Sequence, residues 1–180
     1  MSVAKGITCG YVPLGATIVR KPIGDHFKDH FFAHGATYAG HALACAAAVR
    51  VIQIYQQDRL IENSAEMGHY LLEKALELKD KHPCVGDVRG LGLFVGLELV
   101  KNQKTREPIM PVAARIQKEQ NPKQAVAKRM GELGIMAVAA NPGNVIAMAP
   151  ALIATRDEID EGIELMDQAL AAGDRFADRG

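Results

Sequence analysis

The feature that most restricts the fold is the opening run, Ser2-Val3-Ala4-Lys5-Gly6-Ile7-Thr8-Cys9-Gly10-Tyr11-Val12-Pro13-Leu14-Gly15-Ala16. Glycines at 6, 10 and 15 and a proline at 13 break any helix or long strand laid through it. The run therefore reads as short extended segments around an irregular Gly/Pro loop, the second from Gly15 to Val19. Its glycines put backbone in tight turns or close to a ligand. Lys5 is the only charged side chain in the run. Packing among small and apolar neighbours can desolvate the ammonium and lower its pKa, which an amine nucleophile needs. A solvated lysine at a strand end is the simpler reading of Ala4-Lys5-Gly6 taken alone.

A second small-residue loop, His34-Gly35-Ala36-Thr37-Tyr38-Ala39-Gly40, leads into a helix from about His41 to Tyr55. The first half of that helix, Ala42-Leu43-Ala44-Cys45-Ala46-Ala47-Ala48, is nearly all small and predicts close packing on several faces. Hydroxyl and small residues before a helix make an anion site, because unpaired N–H groups point outward there. An ordinary turn before a buried helix fits the same residues. His26, His30 and His34 recur at i, i+4 and i+8, a spacing that can share a metal on a helix. No carboxylate or cysteine completes a recognisable ligand set. An amphipathic turn carrying Phe27, Phe31 and partly exposed histidines is the reading, with no metal.

From about residue 60 the pattern alternates. Asp58 reads as the cap of a helix from Arg59 to Lys81, closed by Pro83. Val88 to Val100 reads as one strand. Its glycines are not a dinucleotide fingerprint, since Val95 stands where the third glycine belongs and the run opens no helix. Lys101 to Gln120 is polar and irregular. Asn121-Pro122-Lys123-Gln124 opens a helix that runs to Leu133 and stops at Gly134. Ile135–Val138 and Val145–Met148 form a strand pair around Asn141-Pro142-Gly143-Asn144. Thr155-Arg156-Asp157-Glu158 is a capping box for a last helix with Ile159, Ile163, Met166 and Leu170 on one face. The tail after Gly173 reads as frayed. The result is an α/β layer with its own core over 59–180, while 1–58 read as the edge of something else.

Composition excludes several classes. The 21 basic residues balance 21 acidic ones, so nothing points to nucleic acid. No apolar run approaches a membrane span, and no signal peptide is visible. Cys9, Cys45 and Cys84 form no Cys-x-x-Cys pair and read as free thiols in a reducing cytoplasm.

Taken together, Ala4–Ala16, His34–Ala48 and Val88-Arg89-Gly90-Leu91-Gly92-Leu93-Phe94-Val95-Gly96-Leu97-Glu98 resemble the class III aminotransferases, pyridoxal-phosphate enzymes of fold type I. The resemblance covers essentially all 180 residues, down to Ala149-Pro150-Ala151-Leu152. It is strongest with the ω-amino-acid and taurine–pyruvate branch. It implies an α/β fold in which 1–58 are the C-terminal end of the large cofactor domain and 59–180 the small domain. It implies that Lys5 forms the Schiff base with pyridoxal 5′-phosphate and then shuttles a proton, a double task closed to the permanently charged arginine. It implies that Thr37 binds the cofactor phosphate of a neighbouring subunit in a homodimer. The implied reaction moves an amino group from an amine or amino acid, such as taurine or an ω-amino acid, to a 2-oxo acid such as pyruvate.

The same resemblance places a phosphate loop, a ring-stacking aromatic residue and a ring-nitrogen aspartate upstream of the lysine. The chain starts at the strand entering Lys5, so it reads as the C-terminal portion of a longer protein. Ala42 stands where the family often has proline. The stretch Ala139-Ala140-Asn141-Pro142-Gly143-Asn144 lacks the arginine that binds a substrate carboxylate in many ω-transaminases. The alternative expectation is a catalytically inactive fragment acting as an interaction or structural module, with an exposed apolar patch left in its first 58 residues.

Overall fold

The computed structural model describes residues 1–111, 122–136, 138–139 and 143–178. They form two compact units, Met1–Leu60 and Ile61–Gly180. In the first unit, β1 (Ser2–Ala4) and β2 (Gly15–Thr17) pair antiparallel, with Val3 opposite Ala16. Helix α1 (Lys21–Asp29) carries Pro22 in its first turn, where a missing N–H is harmless. Helix α2 (Ala42–Gln57) buries one stripe, Ala44, Ala48 and Val51. Leu43, Val49 and Ile52 face outward, so the several-sided packing expected from its small residues is replaced by one covered face.

Asp58 does not open the next helix. Its N–H donates to Ile54 O at 2.9 Å and ends α2. Arg59 then takes φ 52°, a left-handed step that breaks the helical path. Helix α3 (Leu60–Lys81) begins one residue later.

The second unit adds β3 (Val85–Leu91), β4 (Phe94–Asn102), β5 (Glu107–Pro108), α4 (Pro122–Glu132), β6 (Val138–Ala139), β7 (Val145–Met148) and α5 (Arg156–Asp174). The sheet order is β3-β4-β7-β6, with β5 also on β4, and every pairing is antiparallel. The run read as one strand from Val88 to Val100 is a hairpin. Leu91 pairs with Phe94 across Gly92 and Leu93. Positive φ at Gly92 (54°) and not at Leu93 is the pattern of a type II′ turn, whose hand matches strand twist. Along β4, Val95, Leu97 and Leu99 alternate inward. They share one core with Leu71 and Ala75 of α3, Val126 and Met130 of α4, and Met166 and Leu170 of α5, so three helices serve one face of the sheet.

Gly68 sits inside α3, where glycine costs about 1 kcal/mol against alanine. A Cβ there would lie 2.2 Å from the Gly92 carbonyl carbon. The helix gives up a side chain so that the hairpin turn can approach its backbone.

The capping box of α5 forms in both directions between Thr155 and Glu158. Asn121, the expected cap of α4, lies outside the described residues, as do 112–120 and much of the 139–144 turn. Gly134 (φ 85°) follows the end of α4. The tail is held as far as residue 178, against the expectation that it frays. Phe176 and Ala177 pack on the core, and the Asp178 N–H donates to Lys101 O at 2.7 Å. Buried His82 ties the end of α3 to α5, with Nδ1 2.7 Å from Asp174 and Nε2 2.8 Å from Asp167. Burial pushes the Asp167 carboxyl up, but Lys81 and His82 outweigh it and hold the group below its ordinary 3.8.

Gly68→Ala is expected to destabilise the protein by about 2 kcal/mol in urea titration, because overpacking exceeds the gain in helix propensity. The depressed Asp167 carboxyl contributes stability that is present above 3.8 and lost as pH falls through its lower folded value. The stability gap between wild type and Asp167→Asn should therefore hold from neutral pH to about pH 5 and shrink in more acid solution, read by thermal melts.

Candidate active site

Strand β1 delivers the chain into a 3-10 turn, Lys5–Thr8. Lys5 has φ 54°, which costs a residue with a Cβ about 1–2 kcal/mol. Such strain persists only where the surroundings fix it. The Cys9 N–H donates to Gly6 O at 3.2 Å, and the Tyr11 N–H to Thr8 O at 3.0 Å. The Thr8 side chain is 1% exposed, and its hydroxyl donates to Val12 O at 2.6 Å. From α2, the Tyr55 hydroxyl donates to Gly6 O at 2.8 Å and lies 3.3 Å from Cys9 Sγ. Cys9 is itself left-handed, with φ 48°. The Cys9 contact, then burial, push the Tyr55 phenol up to about 12, so it stays a donor at neutral pH.

Lys5 is exposed, as in the simpler reading of a solvated lysine and not as a desolvated one. Alanine and glycine leave the lysine uncovered because they have no side-chain bulk to lay over it. Among the described residues, its ammonium makes no hydrogen bond or ion pair. The amine is thus presented on a fixed backbone without a partner.

Thr37 starts a turn over 37–40, closed by the Ala39 N–H on Ala36 O (2.9 Å) and by Gly40 at φ 67°. Its exposed hydroxyl is likewise unbonded among the described residues. His41 caps α2, its Nδ1 accepting from the Ala44 N–H at 3.5 Å. That leaves the amides of Ala42 and Leu43 without an acceptor inside the helix. A cleft of about 300 Å³ is lined by Val12, Pro13, Leu14, Tyr38, His41 and Ala44, with neither Lys5 nor Thr37 in its lining. No direct bond joins Lys5 to Thr37 among the described residues. The rings of His26 and His30 stack face to face at 4.0 Å, and His30 Nδ1 lies 2.8 Å from His26 O.

Tyr55 is the site residue that sequence reasoning missed. It lies 49 residues from Gly6 near the end of an apolar helix, and no motif marks it.

The family model "Aminotransferase class-III" matches residues 1–170. Taurine–pyruvate aminotransferase of Bilophila wadsworthia is 36% identical over 177 residues, covering 94% of this chain and 38% of that protein. Putrescine–pyruvate aminotransferase of Pseudomonas aeruginosa is 46% identical over 109 residues, 59% of this chain and 24% of that one. Among solved structures, taurine:2-oxoglutarate aminotransferase from Bifidobacterium kashiwanohense, in complex with pyridoxal phosphate and glutamate, superposes with a TM-score of 0.86 at 35% identity. The match covers 97% of this chain and 38% of that one. The fold is that of the C-terminal part of a fold type I pyridoxal-phosphate transferase. The chain belongs to the class III aminotransferases, a pyridoxal-phosphate-dependent enzyme family. It spans 38% of the length of its taurine–pyruvate relative.

Thr8→Val keeps the side chain's shape but leaves Val12 O without its donor. It should cost about 1–3 kcal/mol in denaturant titration, while Thr8→Ser, which keeps the hydroxyl, should cost less.

Proposed function

We propose that this chain supplies the amine-bearing part of an aminotransferase centre. The reaction moves an amino group from an amine or amino acid, of the taurine or ω-amino-acid class, to a 2-oxo acid such as pyruvate. The observation that carries this reading is Lys5, with its unpartnered ammonium on a left-handed turn held from three sides. The donor set fits pyridoxal 5′-phosphate: a primary amine for its aldehyde, and a free hydroxyl on a small-residue loop for its phosphate. Bound, the cofactor supplies an electrophilic carbon and an electron-withdrawing ring.

The chain's own residues have three tasks. Lys5 Nζ is the point of covalent attachment. Once an incoming amine has displaced it, the same nitrogen is free to carry a proton to and from the substrate Cα. The Thr37 hydroxyl donates to a phosphate oxygen. By family resemblance, it does so across the interface of a homodimer. The stretch 139–144 contains no arginine, so it offers a donor's acidic group no guanidinium of its own. The family match lends no support to a purely structural module.

Incubation with pyridoxal phosphate, borohydride reduction and peptide mass spectrometry should find an adduct on Lys5 that Lys5→Ala abolishes. No adduct on Lys5 would remove the cofactor role assigned to it. Thr37→Val should weaken pyridoxal phosphate binding by about tenfold or more, since a hydrogen bond to a charged group contributes about 1.5–3 kcal/mol.

A further inference from the structure

Tyr55 belongs to no motif, yet its hydroxyl reaches the backbone immediately after Lys5. The acceptor, Gly6 O, belongs to the second peptide unit after the left-handed residue, inside the turn that follows it. The contact comes from α2, an element remote in sequence, whereas the other bonds around the turn are local. Local bonds move with the turn if it shifts as a unit. A bond from α2 fixes the turn to a separate body.

We propose that Tyr55 is a positioning residue for Lys5, its hydroxyl anchoring Gly6 O so that the Lys5 backbone stays left-handed and its amine keeps one aim. The inference rests on the reading of Lys5 as the attaching amine and extends it to how that amine is held. The phenol has one proton, which it gives to Gly6 O. Cys9 Sγ, 3.3 Å away, is then the donor to the phenol oxygen. The thiol is therefore a secondary contact, and the Tyr55 to Gly6 bond is the one that sets the turn. Without the hydroxyl, Gly6 O keeps only the Cys9 donors (3.2 Å from N and 3.8 Å from Sγ). The turn can then relax and let Lys5 return to negative φ, which L-residues prefer. The amine would remain but point elsewhere.

The test compares wild type, Tyr55→Phe and Cys9→Ala in the full chain. The first readout needs no cofactor: the sign of the Lys5 φ angle from NMR couplings in isotope-labelled protein. Tyr55→Phe should turn it negative, with the melting temperature unchanged. A Lys5 φ that stays positive overturns the proposal. A Tyr55→Phe chain that loses its fold overturns it too, since the phenol would then be a general structural support. The second readout is the Lys5 adduct with pyridoxal phosphate after borohydride reduction, scored against the other lysines. It should fall about tenfold in Tyr55→Phe, on the scale that small misplacements cost reacting groups, and hold in Cys9→Ala. An equal fall in Cys9→Ala would move the role to the thiol and overturn the assignment to Tyr55. Absence of any Lys5 adduct in wild type defeats the proposed cofactor chemistry alone, and the φ measurement still decides the role of Tyr55.

Discussion

A lysine held at positive φ needs a backbone that leaves it no alternative, and the first unit is arranged around that demand. Glycine would accept the same conformation without strain but has no amine. A lysine at this position must therefore carry the strain, and the turn after it supplies the restraint. Buried Thr8 closes the far end of the turn on Val12 O, and Tyr55 holds its middle from α2. Neutral hydrogen bonds of this kind contribute only about 0.5–1.5 kcal/mol each, so several are needed to offset one left-handed residue.

The second unit solves a different problem by a related device. Its sheet buries one face under three helices, and the turn between β3 and β4 lies directly on α3. A Cβ at Gly68 would strike the Gly92 backbone and one at Gly92 would come within 2.7 Å of Ser64 Oγ, so both positions are glycine. His82 with Asp167 and Asp174 fastens the other end of α3 to α5. A turn contact near one end of the helix and a charged clamp at the other leave α3 little freedom to slide over the sheet.

Much of this was legible in local chemistry. The capping box at Thr155, the stop at Gly134 and strand β7 are written in turn and cap residues, whereas β6 is Val138–Ala139 and not the expected Ile135–Val138. Helix α2 was legible as an element, but not which stripe it buries, since alanine fits a covered or an open face equally well. The hairpin at Gly92 was missed because glycine within an apolar run reads as a bulge, a close approach or a turn. Asp58 was misjudged because an aspartate between two helices can end one or begin the next. For Lys5 the sequence left a desolvated and a solvated amine open, because small neighbours can pack over a lysine or leave it bare.

The sequence by itself determined the family, and it singled out Lys5 and Thr37 as candidate site residues. Those residues stand in short contiguous motifs whose chemistry depends on residue type and order. Only the tertiary structure decided that Lys5 is left-handed, that its turn is fixed from α2 by Tyr55, and that Gly68 faces Gly92. Each of these is a contact or a conformation set by elements far apart in the chain, and local propensity carries no information about which distant group arrives there.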